Sequence, residues 1–232
     1  MQIQRCLIVW TWVAAASVAC SHYQDPIAPT DSTLGVLVGS GRVISEPRPA
    51  QGFTSIAIAS GINAVVTVGG SDSLEITAED NIAPFVDAVV TGEQLTIRFR
   101  SGSRGIRTSV GVVCHIGVRS LQGVDLSGGS RIQVDGIDTA DFSVALSGGS
   151  SFTGSGSVDE LRMDLSGGSR ASAPSLRAGR VNAGLAGAAT AQVRVVNALF
   201  VRASGASTFE YLGDPTVQAD VSDVSVVRRV GA

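Results

Sequence analysis

The chain has 232 residues, 44% of them hydrophobic but only 5% aromatic, with 28 glycines and 7 prolines. That is enough apolar mass for a sizeable core, and its small residues suit thin stacked layers better than a thick globular interior. A formal net charge of −3 gives no electrostatic basis for holding nucleic acid, and without a single lysine there is no lysine nucleophile or Schiff base.

Residues 1–19 read as a signal peptide. Arg5 supplies the positive charge, Cys6–Ala19 is apolar and small, and Ser17-Val18-Ala19 is a small-x-small cleavage site directly before Cys20. The stretch is too short to span a bilayer. Cys20 at that place resembles the lipobox of bacterial lipoproteins, with Ser17 where leucine is usual. The resemblance implies a diacylglyceryl thioether on Cys20, hence a membrane partner through a lipid anchor. Ser21 in place of an aspartate implies the outer membrane of a Gram-negative cell as destination, with the periplasm as the alternative. With Cys6 removed and Cys20 lipidated, Cys114 in the apolar run Val110–Val118 is left as a small buried hydrophobe, and no disulfide is expected.

Residues 20–49 form a Pro/Ser-rich tether, marked by Pro26, Pro29, Pro47 and Pro49, in which Leu34–Val38 and Arg42–Ile44 are candidate first strands. Residues 50–120 are β-rich but irregular. Alternation begins at Ile56 and Ile58, passes Gly61-Ile62-Asn63 to Val65–Val68, turns at Gly69-Gly70-Ser71-Asp72 and returns through Leu74–Thr77. Asn81–Val86, with Pro84, is a short helix or loop. Val89–Glu93 turns into Leu95–Phe99. The segment looks like a cap on the C-terminal half of the chain, or a small sheet continuous with it. Arg100, Arg104 and Arg107 on a Gly/Ser loop form an anion-binding candidate, although such runs are commonly solvated loops.

Residues 121–232 are built on a repeat. Leu-Ser-Gly-Gly-Ser occurs at Leu126–Ser130, Leu146–Ser150 and Leu165–Ser169, and degenerate copies start at Leu185, Ala203 and Val221, at steps of 18 to 20 residues. Apolar side chains sit two and four residues before each anchor: Phe142/Val144/Leu146, Leu161/Met163/Leu165, Val181/Ala183/Leu185, Leu199/Val201/Ala203 and Val217/Ala219/Val221. Strict alternation puts them on one face of a strand. Gln122 breaks the column in the first turn. A second column lies six and eight residues past the anchors, from Ile132 and Val134 to Phe209 and Tyr211. A third, weaker one runs through Ile137, Val158, Leu176 and Val196.

A fixed period of this size is the mark of a solenoid, whose repeats bury their apolar faces only against their neighbours. The expected fold is all-β: a parallel β-helix of ~18–20-residue turns, each strand pairing with its equivalent one coil on, with a less regular N-terminal cap. The corner residues Ser127, Gly128, Gly129, Ser130, Ser147, Gly148, Gly149, Ser150, Ser166, Gly167, Gly168 and Ser169 suit sharp bends, glycine for its positive φ and serine for local hydrogen bonds. A flexible linker would not keep apolar alternation in phase with its glycines. A phosphate loop would need Lys-Ser/Thr and a helix after them.

Phe53–Ile56, Gly61-Ile62-Asn63, Leu74–Ala78 and Gly92–Ile97, followed by serial Ser-Gly-Gly-Ser and Ser-Gly-Ala-Ser corners, resemble the bacterial family called putative auto-transporter adhesin head GIN domain, over about Phe53–Gly213. The resemblance implies a secreted or lipid-anchored envelope protein with a right-handed β-helical fold and supplies no catalytic residues. No autotransporter barrel is expected, and the late corners at Leu185 and Val221 depart from the family's pattern by losing the serine-glycine signature.

Catalytic signatures are missing. No Gly-x-Ser-x-Gly elbow, His-Glu-x-x-His or Cys-x-x-Cys occurs. His22 lies in the tether, and His115 in an apolar run suits a core or sheet-edge position. No cofactor and no metal is expected. The expected function is therefore a non-enzymatic envelope protein whose polar surface contacts a carbohydrate or protein ligand, as an adhesin does. Two alternatives remain: a carbohydrate-active β-helix enzyme using Asp135, Asp138 or Arg107, and a self-associating structural element, since stackable coils can join end to end. Asp135 and Asp138 could also hold calcium, although the Gly-Gly-x-Gly-x-Asp repeat is absent. These acids, with Asp125, Asp141 and Asp164, are read mainly as solubilising the outer face.

Overall fold

The computed structural model describes residues 30–31, 35–100 and 105–231. The signal peptide, Cys20, His22 and Arg104 lie outside them. The described chain is an all-β solenoid with a less regular N-terminal part. One side of each coil leads up to the anchor. It comprises Ser55–Ile58, Gly123–Leu126, the second halves of the long strands Arg131–Leu146, Ser151–Leu165, Arg170–Leu185 and Thr190–Ala203, and then Thr216–Val221. A second side follows the corner, from Asn63–Val68 through the first halves of the same long strands to Thr208–Leu212 and Val226–Arg229.

Register ties equivalent residues together. Ile56, Val124, Val144, Met163, Ala183, Val201 and Ala219 pair in succession on the first side. Ala64, Ile132, Phe152, Ala171, Ala191, Phe209 and Val227 do so on the second. Most of these side chains are buried and form one continuous core. A parallel ladder buried on one face requires this alternation, because a one-residue slip would expose a whole column. Phe142 and Phe152 meet across the interior with ring centroids 6.1 Å apart. Gly154 makes room for this pair, since a Cβ there would lie 2.6 Å from the Phe152 ring.

Three details depart from the expected columns. In the third column Val195 is buried and Val196 is 40% exposed. The register shifts at that corner, where a shorter coil drops residues from its loosest turn. In Thr216–Val221 every residue is exposed, Val217 and Val221 included, because no further described coil covers it. His115 is neither in the core nor at an edge: it faces solvent on Val113–Val118, between Asn63–Val68 and Ser73–Glu79.

The irregular half belongs to the same stack, but not in chain order. Gln94–Phe99 pairs with Ser55–Ile58, which pairs on its other edge with Gly123–Leu126. Val113–Val118 pairs with Asn63–Val68, which pairs with Arg131–Leu146. The coil at 55–68 is thus clamped between the coil at 94–118 and the coil at 123–135. Antiparallel strands Val43–Pro47, Ser73–Glu79 and Val86–Thr91 finish this end. Asn81–Val86 resolves into a 3₁₀ turn at Ala83–Phe85. No helix among the described residues is long and apolar enough to cross a membrane.

A buried carboxylate holds this end together. Glu79 is fully buried, and its Oε1 accepts hydrogen bonds from the Ser109 hydroxyl at 2.6 Å and the Gly41 N–H at 3.2 Å. Burial pushes the carboxyl up, but the donors of Ser109, Thr108 and Gly41 outweigh it and hold it below the ordinary glutamate value. A carboxyl whose folded value is lowered contributes stability that is complete above its unfolded value of ~4.3 and is lost as pH falls through the folded one. Glu79→Gln is expected to cost about 1–3 kcal/mol near neutral pH and to flatten the loss of stability on acidification. Urea midpoints at neutral pH and below pH ~4 would check both effects.

Candidate functional site

The serine corners stack as two ladders on either side of a backbone ladder. The inner serines Ser130, Ser150, Ser169 and Ser207 are buried. Ser130, Ser150 and Ser207 each donate to the carbonyl three residues earlier, at 2.8–2.9 Å. The outer serines Ser147 and Ser166, which are exposed, and Ser204, which is half-buried, aim their hydroxyls at the anchor carbonyl of the preceding coil, at 3.4 Å. Between the ladders, the second residue past every anchor is left-handed: Ser60, Gly128, Gly148, Gly167, Gly187, Gly205 and Asp223. Only the two ends of this column carry a side chain. In its upper part a Cβ would meet the backbone of the coil beneath, 2.9 Å from the Gly148 oxygen at Gly167 and 2.6 Å from the Gly187 oxygen at Gly205.

Beside this corner, the outward face of the first side forms a grid. Arg162 and Asp164 lie on one coil, Asn182 and Gly184 on the next, then Phe200 and Arg202, then Gln218 and Asp220. Gly184 leaves a gap between Asp164 and Arg202. The gap is the floor of an open groove of about 450 Å³, bordered by Asp164, Ser166, Arg202, Ser204, Asp220 and Ser222. It continues into a second recess of about 260 Å³, bordered by Asn182, Phe200 and Gln218. Phe200 is 44% exposed. Arg162 is occupied by Glu160 at 2.7 Å and Asp141 at 3.6 Å. Arg202 forms no ion pair among the described residues. The groove thus combines a free guanidinium, two flanking carboxylates, amides, hydroxyls and one bare aromatic ring.

The other candidate residues do not converge there. Asp135 is exposed and accepts from Gln133 Nε2 at 2.8 Å and Ser155 Oγ at 2.9 Å. Asp138 is exposed on the third side and Asp125 on the first. Among the described residues no group of three or more His, Cys, Asp or Glu could hold a metal ion. Arg100 is paired with Asp87 at 3.2 Å, and Arg107 lies on a short strand beside Val38. Cys114 is buried, and burial pushes its thiol up to about 12, so it carries no thiolate for chemistry near neutral pH. Phe200 was not singled out from the sequence. Its signal was there: an aromatic at an outward position whose flanking outward residues, Ala198 and Arg202, are small or polar.

A family model described as putative auto-transporter adhesin, head GIN domain, matches residues 52–215. The chain belongs to this family. Gly61-Ile62-Asn63 of this GIN-domain chain forms the first corner of the stack. Ile62 is fully buried in the column position that Ser130 occupies one coil on, the Gly61 N–H donates to Ser130 Oγ at 3.2 Å, and Asn63 opens the second-side strand. Among solved structures, a putative adhesin from Bacteroides fragilis is similar at 18% identity with a TM-score of 0.63, over 84% of this chain and 99% of that one. A putative adhesin from Parabacteroides merdae gives 18% and 0.51 over 84% and 99%. A putative lipid binding protein from Parabacteroides distasonis gives 14% and 0.53 over the same shares. At these identities the likeness is one of fold. No curated protein matches the GIN-domain chain.

Proposed function

We propose that this GIN-domain chain is a non-enzymatic bacterial envelope protein, held to the outer membrane by a lipid on Cys20, whose solenoid binds a surface ligand as an adhesin. The observation that carries this is the groove over Gly184, which offers varied hydrogen-bonding groups and an exposed ring to a partner. No histidine or thiol borders it to activate a nucleophile. The family description agrees with an adhesive role, and the lipobox-like Ser17–Cys20 supports the anchor.

Palmitate labelling in cells is expected to mark the chain, to be lost on Cys20→Ser, and to respond to globomycin. Absence of label contradicts the anchor. Cells displaying the chain are expected to adhere to glycan-, peptidoglycan- or matrix-coated surfaces more than cells without it. No difference on any of them contradicts adhesion, and release of reducing ends from a polysaccharide contradicts the non-enzymatic assignment.

A further inference from the structure

We propose that the groove over Gly184 is a binding site for a neutral glycan, with Phe200 as the stacking platform and Arg202, Asp164 and Asp220 as the hydroxyl-reading groups. This rests on the surface-binding reading above and names its ligand class.

The outward grid carries the argument. Carboxylates only accept and guanidinium only donates, whereas amides and serine hydroxyls do both. Asp164, Arg202, Asn182, Gln218, Asp220 and the corner serines together present both kinds of group along one groove. A polyhydroxylated ligand, whose every hydroxyl can donate and accept, satisfies such a mixture. An apolar peptide or acyl chain would leave it unpaired at a cost.

The ring adds the second element. Phe200 spends no polar group and stands 44% exposed in the middle of the grid, between Asn182 and Gln218 on the neighbouring coils. An aromatic face packs well against the C–H face of a pyranose, gaining apolar contact without asking for a hydrogen bond.

Charge selects against acidic polysaccharides. Arg202 is flanked by Asp164 and Asp220, so the groove carries more negative than positive groups, and a polyanion would meet like charge. The groove is also open and runs across the coils, which follow one another at ~4.8 Å. Its form therefore suits a chain of sugar units rather than an enclosed monosaccharide.

Gly184 supplies the control. Its backbone is not left-handed, and a Cβ there would lie 3.2 Å from the end of the Asp164 side chain, with the Met163 carbonyl oxygen at an ordinary contact distance of 4.0 Å. Gly184→Leu should therefore fill the floor without breaking the fold.

The test is calorimetric titration of the full chain with maltohexaose, cellohexaose and mannohexaose, beside hexagalacturonate as the acidic probe. At least one neutral hexasaccharide is expected to bind, with an affinity little changed by salt. Phe200→Ala and Gly184→Leu are each expected to weaken it about tenfold or more. Phe200→Trp should retain it, and Arg177→Ala, on the third side, should leave it unchanged. Thermal melts equal to the parent's show that the variants are folded. Preference for hexagalacturonate, binding that ignores both Phe200→Ala and Gly184→Leu, or no neutral binding at all overturns the proposal. If none of the neutral probes binds while chain-dependent adhesion persists, the glycan assignment falls and the adhesin reading stands.

Discussion

Phe152→Ala is expected to cost about 3–5 kcal/mol, a large share of the ~5–15 kcal/mol that stabilises a typical domain. Phe152 is 1% exposed, packs against Phe142 at 6.1 Å, and fills the space that Gly154 leaves empty. Its neighbours in the second-side column, Ile132 and Ala171, are smaller, so removing the ring leaves a cavity that only a shift of whole coils could close. The loss is the transfer free energy of the ring plus the unrelaxed void. Phe200→Ala removes the same ring from a 44% exposed position on the outer face and should change stability by no more than about 0.5 kcal/mol. Denaturant midpoints of the two variants check the contrast. Equal effects would mean that the inward and outward faces are misassigned.

The second large effect belongs to the left-handed corner column. Gly205→Ala is expected to cost about 2–4 kcal/mol. A side chain at φ 77° is strained in its own right, and its Cβ would sit 2.6 Å from the Gly187 carbonyl oxygen. That oxygen cannot move freely, because it accepts the Ala206 N–H at 2.7 Å as part of the ladder that joins the corners. Gly149→Ala is the matched control. It lies in the same kind of corner, outside the left-handed region, with nothing within 4 Å of an added Cβ, and should be neutral within about 0.5 kcal/mol. The residues found at the column ends follow the same rule. Ser60 and Asp223 belong to types that tolerate left-handed backbone better than branched ones, and each lies where the stack of corners begins or stops.

The repeat half was legible because two independent patterns share one phase. Alternation at Phe142, Val144 and Leu146 marks an inward face, and glycine two residues past Leu146 marks a bend, so both had to be coil features. The N-terminal half hid its place for a physical reason. The neighbours of Ser55–Ile58 in the stack are Gln94–Phe99 and Gly123–Leu126, neither of which comes next to it in sequence, so no period exists to find. Val217 and Val221 show another limit: alternation identifies the inward face but not whether a coil lies above it. Val195 took the place expected for Val196 because the shortening of that coil falls on its third side, where glycine and serine give no fixed point. The groove was legible in part. Asp164, Gly184, Arg202 and Asp220 each stand one residue before an anchor, so alternation alone puts them on one outward column. Gly184 could not be read as a floor, nor Phe200 as a platform, until register put Asn182, Phe200 and Gln218 on adjacent coils.

That register is the claim on which fold and groove both stand, and disulfide trapping measures it directly. Paired parallel strands hold their Cα atoms ~4.8 Å apart, within the ~4.4–6.8 Å that a disulfide spans, whereas a two-residue offset exceeds ~7 Å. In a chain with Cys6 and Cys20 replaced by serine, Asn182→Cys with Phe200→Cys, a directly paired position, should cross-link under mild oxidation. Gly184→Cys with Phe200→Cys should stay reduced. Cross-linking of the offset pair, with the aligned pair left reduced, would contradict the stacking of the coils and take the groove with it.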